Sequence, residues 1–159
     1  MEPRIEIFSE KKFAGLRIRM SISNNKTREL WESFMPKRRE IINRICSDLY
    51  SIEVYEPHYF ENFSLEREFD KWAVVEVIGI DTVPGEMETI TVSSGLYAVF
   101  HYKGTASKGQ ETYSYIFKTW LPESIYTLDD RPHIAIMGEK YRNEDPDSEE
   151  DIWIPIKTH

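Results

Sequence analysis

The chain has 159 residues, of which 40% are apolar and 13% aromatic, and its formal net charge is −8. This length and composition predict one folded domain with its own core and exclude a disordered chain. The acidic balance argues against a nucleic-acid surface, no apolar run has the length of a membrane span, and a single cysteine rules out an internal disulfide. We therefore expect a cytoplasmic protein with no direct nucleic-acid or membrane partner.

The first half of the chain reads as strands around one helix. The predicted elements are strands at Arg4–Phe8 and Phe13–Ile22, a helix from Thr27 to about Met35, and strands at Tyr50–Tyr55 and Lys71–Ile80. The early strands alternate apolar and polar residues, whereas the last is almost continuously apolar and should be buried on both faces. Pro36 either kinks the helix or begins a second short helix that ends near Ile45.

The second half repeats this order. The predicted elements are strands at Thr89–Val92 and Gly95–Tyr102, a helix that ends near Leu121, and strands at His133–Met137 and Asp151–Lys157. Tyr113, Ile116, Phe117 and Trp120 stand at i, i+3, i+4 and i+7, which is one face of a helix. Pro155 predicts that the last strand lies at a sheet edge or contains an irregularity.

Strand, helix, strand, strand therefore occurs twice, and the helical stretch WESFMP has the same residue spacing as FKTWLP. The predicted fold class is α+β: a duplicated β-α-β-β unit with pseudo-twofold symmetry, a curved antiparallel sheet and two main helices. One domain would span residues 1–159, with halves at about 1–82 and 88–159. Such a domain places an aromatic groove on its own axis, which is a default site for a small molecule.

Several stretches in order resemble the GyrI-like, AraC-type effector-binding domain of bacterial transcription regulators, which has a SOUL-like fold. They are WAVVEV at 72–77, PGxM at 84–87, GxYAVFxYKG at 95–104, WLPxSxY at 120–126, DDRP at 129–132 and DIWIPIK at 151–157. The resemblance implies the duplicated fold and a groove for bulky, often planar or cationic, hydrophobic compounds. No cofactor is expected, and no metal, since the four histidines lack carboxylate or cysteine neighbours at ligand spacing.

The resemblance also implies a glutamate on the groove floor, within a Pro-x-aromatic-Glu segment. Here that segment reads Pro132-His133-Ile134-Ala135, and alanine can neither pair with a cation nor act as a base. Three interpretations stay open: the ligands are neutral, another carboxylate serves, or the alanine is a substitution that silences the protein. Glu53, which aligns with Ala135 between the repeats, is the first substitute and Glu76 the second.

The candidate ligand-binding residues are Trp120, Ala135, Tyr55, Tyr97, Tyr113 and Glu53. Each aromatic residue among them also fits ordinary core packing. Some stand-alone members of the family resemble hydrolases that open cyclopropane-bearing DNA-alkylating natural products. By that resemblance Trp120, Tyr97 and the position of Ala135 are the catalytic candidates.

The leading hypothesis is a stand-alone protein that binds bulky hydrophobic compounds of the drug or toxin class. One alternative is a hydrolase of cyclopropane-containing compounds. Another is an interaction protein that inhibits DNA gyrase, as the family's name member does. We expect a monomer or weak dimer, with gyrase or a regulator as candidate protein partners.

Overall fold

The computed structural model describes residues 2–61, 63–81, 83–105, 108–137 and 147–158. Its strands are β1 (Arg4–Phe8), β2 (Lys11–Ser21), β3 (Leu49–Val54), β4 (Glu68–Val77), β5 (Glu88–Val92), β6 (Gly95–Lys103), β7 (Tyr126–Leu128), β8 (His133–Met137) and β9 (Glu149–Thr158). Its helices are α1 (Thr27–Lys37), a 3₁₀ turn (Arg38–Glu40), α2 (Gly109–Tyr115), a π-helical turn (Ile116–Trp120) and α3 (Leu121–Glu123). None of the helices within these ranges has the length and apolar content to cross a membrane.

The strands form one antiparallel sheet in the order β1-β6-β9-β8-β3-β4-β2-β5, and β7 pairs with the end of β9. The order reads the same outward from the central β3–β8 pair, as β4, β2, β5 on one side and β9, β6, β1 on the other. At that centre Ile52 pairs with Ile134, flanked by the pairs Ser51–Ala135 and Glu53–His133. The predicted α+β fold, with its duplicated unit and curved antiparallel sheet, is confirmed.

The two halves exchange their first strands. β1 precedes β2 in the chain but pairs with β6 of the other half, and β5 precedes β6 but pairs with β2. Only two residues join β1 to β2, and two join β5 to β6. Because those short links connect opposite ends of the strand order, the sheet must curl until its ends approach each other.

One face of the curled sheet is closed on itself, and we call it the interior face. Its side chains come from both halves and from both exchanged strands, and none is more than 7% exposed. They are Phe8, Phe13, Tyr50, Ile52, Trp72, Val74, Val92, Tyr97 and Ile134. Their burial supplies much of the apolar area that stabilises the fold.

The opposite, helix-bearing face carries two separate apolar clusters. Leu30 and Phe34 of α1 pack with Ala73 and other residues of β2 and β4 in the first half. Ile116 and its helical neighbours pack with Phe100 and other residues of β6 and β9 in the second half. Each half thus buries its own helix, and the central β3–β8 pair lies between the two clusters.

The prolines behave differently from one another. Pro36 lies inside α1, and Pro122 lies in the last helical turn, so the second helical segment ends at Glu123 rather than near Leu121. The π-helical turn before Pro122 shifts the hydrogen-bond register there, which accommodates a residue without an N–H.

Pro155 does not place β9 at an edge, since β9 lies between β6 and β8. The irregularity is what the structure shows. The β8 ladder ends at Trp153, the β7 ladder begins at Ile156, and Pro155 lies at this junction with its carbonyl accepting from the Asp129 N–H. No donor is needed at that point, so proline is tolerated. The strand β7 was not predicted from the sequence.

Candidate functional site

Small side chains occupy the centre of the helix-bearing face. Ala73, Ser51 and Ala135 are successive partners across β4, β3 and β8, and Ile152 of β9 continues the row. Ser51 and Ala135 belong to neither helix cluster, although they are 8% and 9% exposed. We call Ser51, Ala73 and Ala135 the central floor, because they are the short side chains on the sheet between the two helices.

Charged side chains border the central floor. Glu53 and Lys71 are cross-strand partners on the same face, with the Lys71 Nζ 3.8 Å from the Glu53 carboxylate, and their side chains are only 20% and 15% exposed. Glu150 lies on that face too, since its partner in β6 is Tyr102, a residue of the second helix cluster. Burial raises the pKa of the Glu150 carboxyl, the negative charges of Glu53 and Asp151 add to the rise, and Lys71 opposes it.

Two tyrosines complete this polar group. Burial raises the pKa of Tyr113, on α2, well above its usual value, and the charges of Glu53 and Glu150 add to that rise. Burial likewise raises the pKa of Tyr55, with Glu53 again the next contributor and Tyr113 after it. One phenol on the helix therefore lies within electrostatic reach of carboxylates from β3 and β9. We call Glu53, Lys71, Glu150, Tyr55 and Tyr113 the floor site.

Aromatic rings cover the end of the floor beyond Glu53. Phe60 stacks on Phe117 and on His133, with ring centroids 5.3 and 5.5 Å apart, and Tyr55 meets His133 edge-on at 4.8 Å. Burial, and then the nearby charge of Arg131, lowers the pKa of His133 to about 3. This imidazole is therefore neutral and acts as another flat ring. These aromatic rings lie next to carboxylates, a combination that suits a hydrophobic cation.

Among the sequence candidates, Glu53, Tyr55 and Tyr113 lie within electrostatic reach of one another, and Ala135 lies opposite Ser51 on the same face of the sheet. Trp120 lies further out, edge-on to Phe100 at 5.2 Å and stacked with Tyr126 at 6.3 Å. Phe100 is separated from Ala135 by Ile152, so two strand spacings, about 10 Å, lie between Phe100 and the floor.

Two candidates lie on the interior face instead. Tyr97 is fully buried there, its hydroxyl donates to the Pro132 carbonyl at 2.8 Å, and burial raises its pKa to about 12. Glu76 is the partner of Phe13 on that face and lies 3.6 Å from the Lys11 amine. The strand β6, which contains Tyr97, is apolar on both faces, so alternation could not assign Tyr97 to one face of the sheet. Neither Tyr97 nor Glu76 belongs to the floor site.

Glu150 was not among the sequence candidates, because the acidic run Tyr141–Glu150 predicts a solvated loop. β9 begins at Glu149, two residues earlier than expected, and this brings Glu150 into the strand. The available signal was the alternation of Glu150 with Ile152, Ile154 and Ile156, which share one buried face. Within this acidic run, residues 141–146 lie outside the described part of the chain.

Comparison with known proteins gives matches over nearly the whole chain. The sequence model of a family described as "GyrI-like small molecule binding domain" matches residues 1–157. The transcriptional regulator BrlR of Pseudomonas aeruginosa is 28% identical over 134 residues, which are 80% of this chain and 45% of that regulator. The chain thus spans less than half the length of this curated relative.

Two solved structures share the fold. SAV2435 bound to tetraphenylphosphonium matches with a TM-score of 0.68 at 13% identity, over 99% of this chain and 94% of that one. A hydrolase encoded by lin2189 from Listeria innocua matches with a TM-score of 0.62 at 10% identity, over 98% and 92% of the two chains. At these identities the likeness concerns the fold alone.

Proposed function

The chain belongs to the GyrI-like family of small-molecule-binding domains, and from that premise we propose that it binds bulky, hydrophobic cations on its central floor. The observation that carries the proposal is the largely buried carboxylate of Glu150, which lies within electrostatic reach of Tyr113. Glu150 is on the same face of β9 as Ile152, the partner of Ala135. Of the three floor charges, Glu53 and Lys71 neutralise each other at 3.8 Å. Glu150 is the remaining negative charge, and a bound cation would complete the balance.

The proposal includes a role for the alanine at position 135. By the resemblance to the family, alanine replaces a glutamate at this position of β8. The neighbouring strand β9 supplies the Glu150 carboxylate to the same face. Of the three interpretations, we therefore adopt the one in which another carboxylate serves. The structural neighbour SAV2435 was solved with tetraphenylphosphonium bound, and the same compound is a suitable probe because it is bulky, aromatic and permanently charged.

The test is a calorimetric titration of the full chain with tetraphenylphosphonium, repeated on Glu150→Gln. A charge pair about 5 Å apart contributes roughly 3 kcal/mol at an effective dielectric of 20, and solvent screening reduces this. We expect about a tenfold weaker affinity for the variant.

Glu111→Gln is the matched control, since Glu111 is an exposed residue of α2. It should bind as the wild type does. No binding by the wild-type protein at millimolar probe contradicts the proposal, and so does equal weakening by both variants.

A second candidate function is hydrolysis of cyclopropane-containing compounds. The observation that favours it is the Glu150 carboxyl group, whose pKa is raised by burial and which lies near the half-buried tyrosines Tyr55 and Tyr113, as proton transfer to or from a substrate requires. Turnover of a cyclopropane-bearing substrate that rises in Ala135→Glu and falls in Glu150→Gln would support it. Turnover in neither the wild type nor Ala135→Glu would leave binding as the function.

A further inference from the structure

The exposed imidazole of His101, on β6, contacts two carboxylates of β9 at the end of the interior face. The Nδ1 of His101 lies 2.8 Å from the Asp151 carboxylate, and its Nε2 lies 2.7 Å from the Glu149 carboxylate. The three residues come from neighbouring strands, with His101 directly opposite Asp151 in the β6–β9 ladder. We call this arrangement the His101 clamp.

The clamp holds the residues on either side of Glu150. Successive side chains of a strand point to opposite faces, so Glu149 and Asp151 face His101 while Glu150 faces the central floor. The ladder from β8 reaches β9 only at residues 151–153, so Glu150 lies beyond it and pairs with Tyr102 of β6. The position of Glu150 therefore depends on the contacts between β6 and the first residues of β9.

Other charges around the clamp come from β1 and β6. The Arg4 guanidinium lies 3.7 Å from Asp151 and also donates to Glu6 at 2.6 Å, and Lys103 is the partner of Glu149 on the same face as His101. Hydrogen bonds to Asp151 and Glu149 raise the pKa of His101 above its ordinary value, against the effect of burial. The protonated imidazole is thus the form that this environment favours.

We propose that His101 is a positioning residue that holds Glu150 in the floor site through Glu149 and Asp151, so that cation binding depends on whether its imidazole is protonated. A protonated imidazole donates from both nitrogens and satisfies both carboxylates. A neutral imidazole donates from one nitrogen only, and its other lone pair then faces a carboxylate. Deprotonation therefore releases one side of the strand that carries Glu150.

This inference rests on the proposed function, since it concerns the same carboxylate. The His101 side chain is 50% exposed, so solvent screening limits the effect to about a threefold change in affinity. Affinity should fall as pH rises above 6.5 through the raised pKa of His101, because the clamp is complete only in the protonated state. The fall is separate from the acid limb, where Glu150 itself becomes protonated.

The experiment measures tetraphenylphosphonium affinity of the full chain between pH 6 and pH 9. We expect the wild type to lose about threefold in affinity over this range, whereas His101→Gln binds about threefold more weakly at pH 6 and changes little with pH. His58→Gln is the matched control, because His58 is an exposed histidine in the connection between β3 and β4, away from β6 and β9. It should follow the wild type, and a His101→Gln profile equal to wild type overturns the inference.

A second readout does not need the ligand. Hydrogen–deuterium exchange at pH 6 should show amides 149–152 exchanging about threefold faster in His101→Gln than in the wild type, with the amides of β3 unchanged. Equal exchange rates at 149–152 overturn the positioning role. If the probe binds at no pH while exchange changes as expected, the proposed function fails and the clamp stands.

Discussion

The two faces of the sheet contain similar residues but arrange them differently. The interior face combines rings and branched aliphatic side chains from both halves in one continuous cluster, closed by the exchanged strands. The helix-bearing face has two clusters, one for each helix, and between them a band of small and charged residues. Apolar side chains of both halves therefore meet on the interior face, and charged side chains lie on the other face, where the two helices do not meet.

This division explains why aromatic residues alone were poor guides to the site. Tyr97 is fully buried and Tyr113 half-buried, yet the Tyr97 hydroxyl donates to the Pro132 carbonyl while Tyr113 faces carboxylates. What separates them is the charge beside them, which is visible only after strand register is known. The comparison of the two faces can be tested by changing one face at a time.

The largest effect should come from Gly15→Ala, which adds one methyl group inside the sheet. A Cβ at Gly15 would lie 2.0 Å from the Ala73 carbonyl oxygen and 2.8 Å from the Val74 Cα, and backbone atoms of a central strand cannot move aside cheaply. We expect a loss of about 3 kcal/mol or more in the free energy of unfolding, measured by urea denaturation.

Gly79→Ala is the control, since a Cβ there meets no atom within 4 Å. It should change stability by no more than about 0.5 kcal/mol. Similar losses for both glycines would show that the interior face is looser than its packing indicates.

The next largest effect is the loss of folding stability at low pH that comes from the buried imidazole of His133. Its pKa is about 3 in the folded protein, below its value in the unfolded chain, so the unfolded state takes up the proton first as pH falls. Stability from the neutral ring is complete above about pH 6.5 and is lost below it, by about 2.5 kcal/mol at pH 4.5. His133→Phe should remove this part of the acid sensitivity in urea denaturation at pH 7 and 4.5. A wild-type acid slope that persists in the variant would contradict it.

A pair of alanine variants compares a position inside a helix cluster with a position outside both helix clusters. Ala98 is fully buried under the second helix cluster, and Ala98→Leu should cost about 2 kcal/mol by overpacking. Ala135 belongs to neither helix cluster, so Ala135→Leu should cost less than about 1 kcal/mol while weakening tetraphenylphosphonium binding about tenfold. Thermal unfolding and calorimetry measure the two effects. Equal destabilisation would mean that the floor is already filled by the protein.

The smallest effect is a gain in stability on losing the site carboxylate. Because the pKa of Glu150 is raised on folding, its contribution favours the folded state below the unfolded pKa, near 4.5, and is lost as pH rises through the folded value. At pH 7 the ionised group therefore opposes folding, and Glu150→Gln should be about 0.5 kcal/mol more stable after allowance for partial exposure. A variant less stable than wild type at pH 7 would show that Glu150 serves the fold.

Most strands could be predicted from alternation, because β1 to β3 carry apolar residues on one side and polar ones on the other. The duplication was visible in the helix spacing, and its alignment of Glu53 with Ala135 agrees with the observed register around the Ile52–Ile134 pair. These are local or repeated signals, and a sequence preserves them.

Other features depend on partners that are distant in the chain. Glu150 reads as solvated until Tyr102 and Ile152 show which way it faces. The side chain of Tyr97 could not be assigned to a face, because the residues on both sides of it in β6 are apolar. Pro155 was compatible with an edge or an irregularity, and only the junction of β7 with β8 decides between them.

The exchange of β1 and β5 has a consequence for how such a chain can arise and be taken apart. A single repeat on its own would offer one unpaired edge and lack one strand, and a second copy would meet both needs. When two copies are joined in tandem, this pairing of strands between separate molecules becomes a pairing within one polypeptide. Cut between its repeats, the protein should yield two fragments that fold only when mixed.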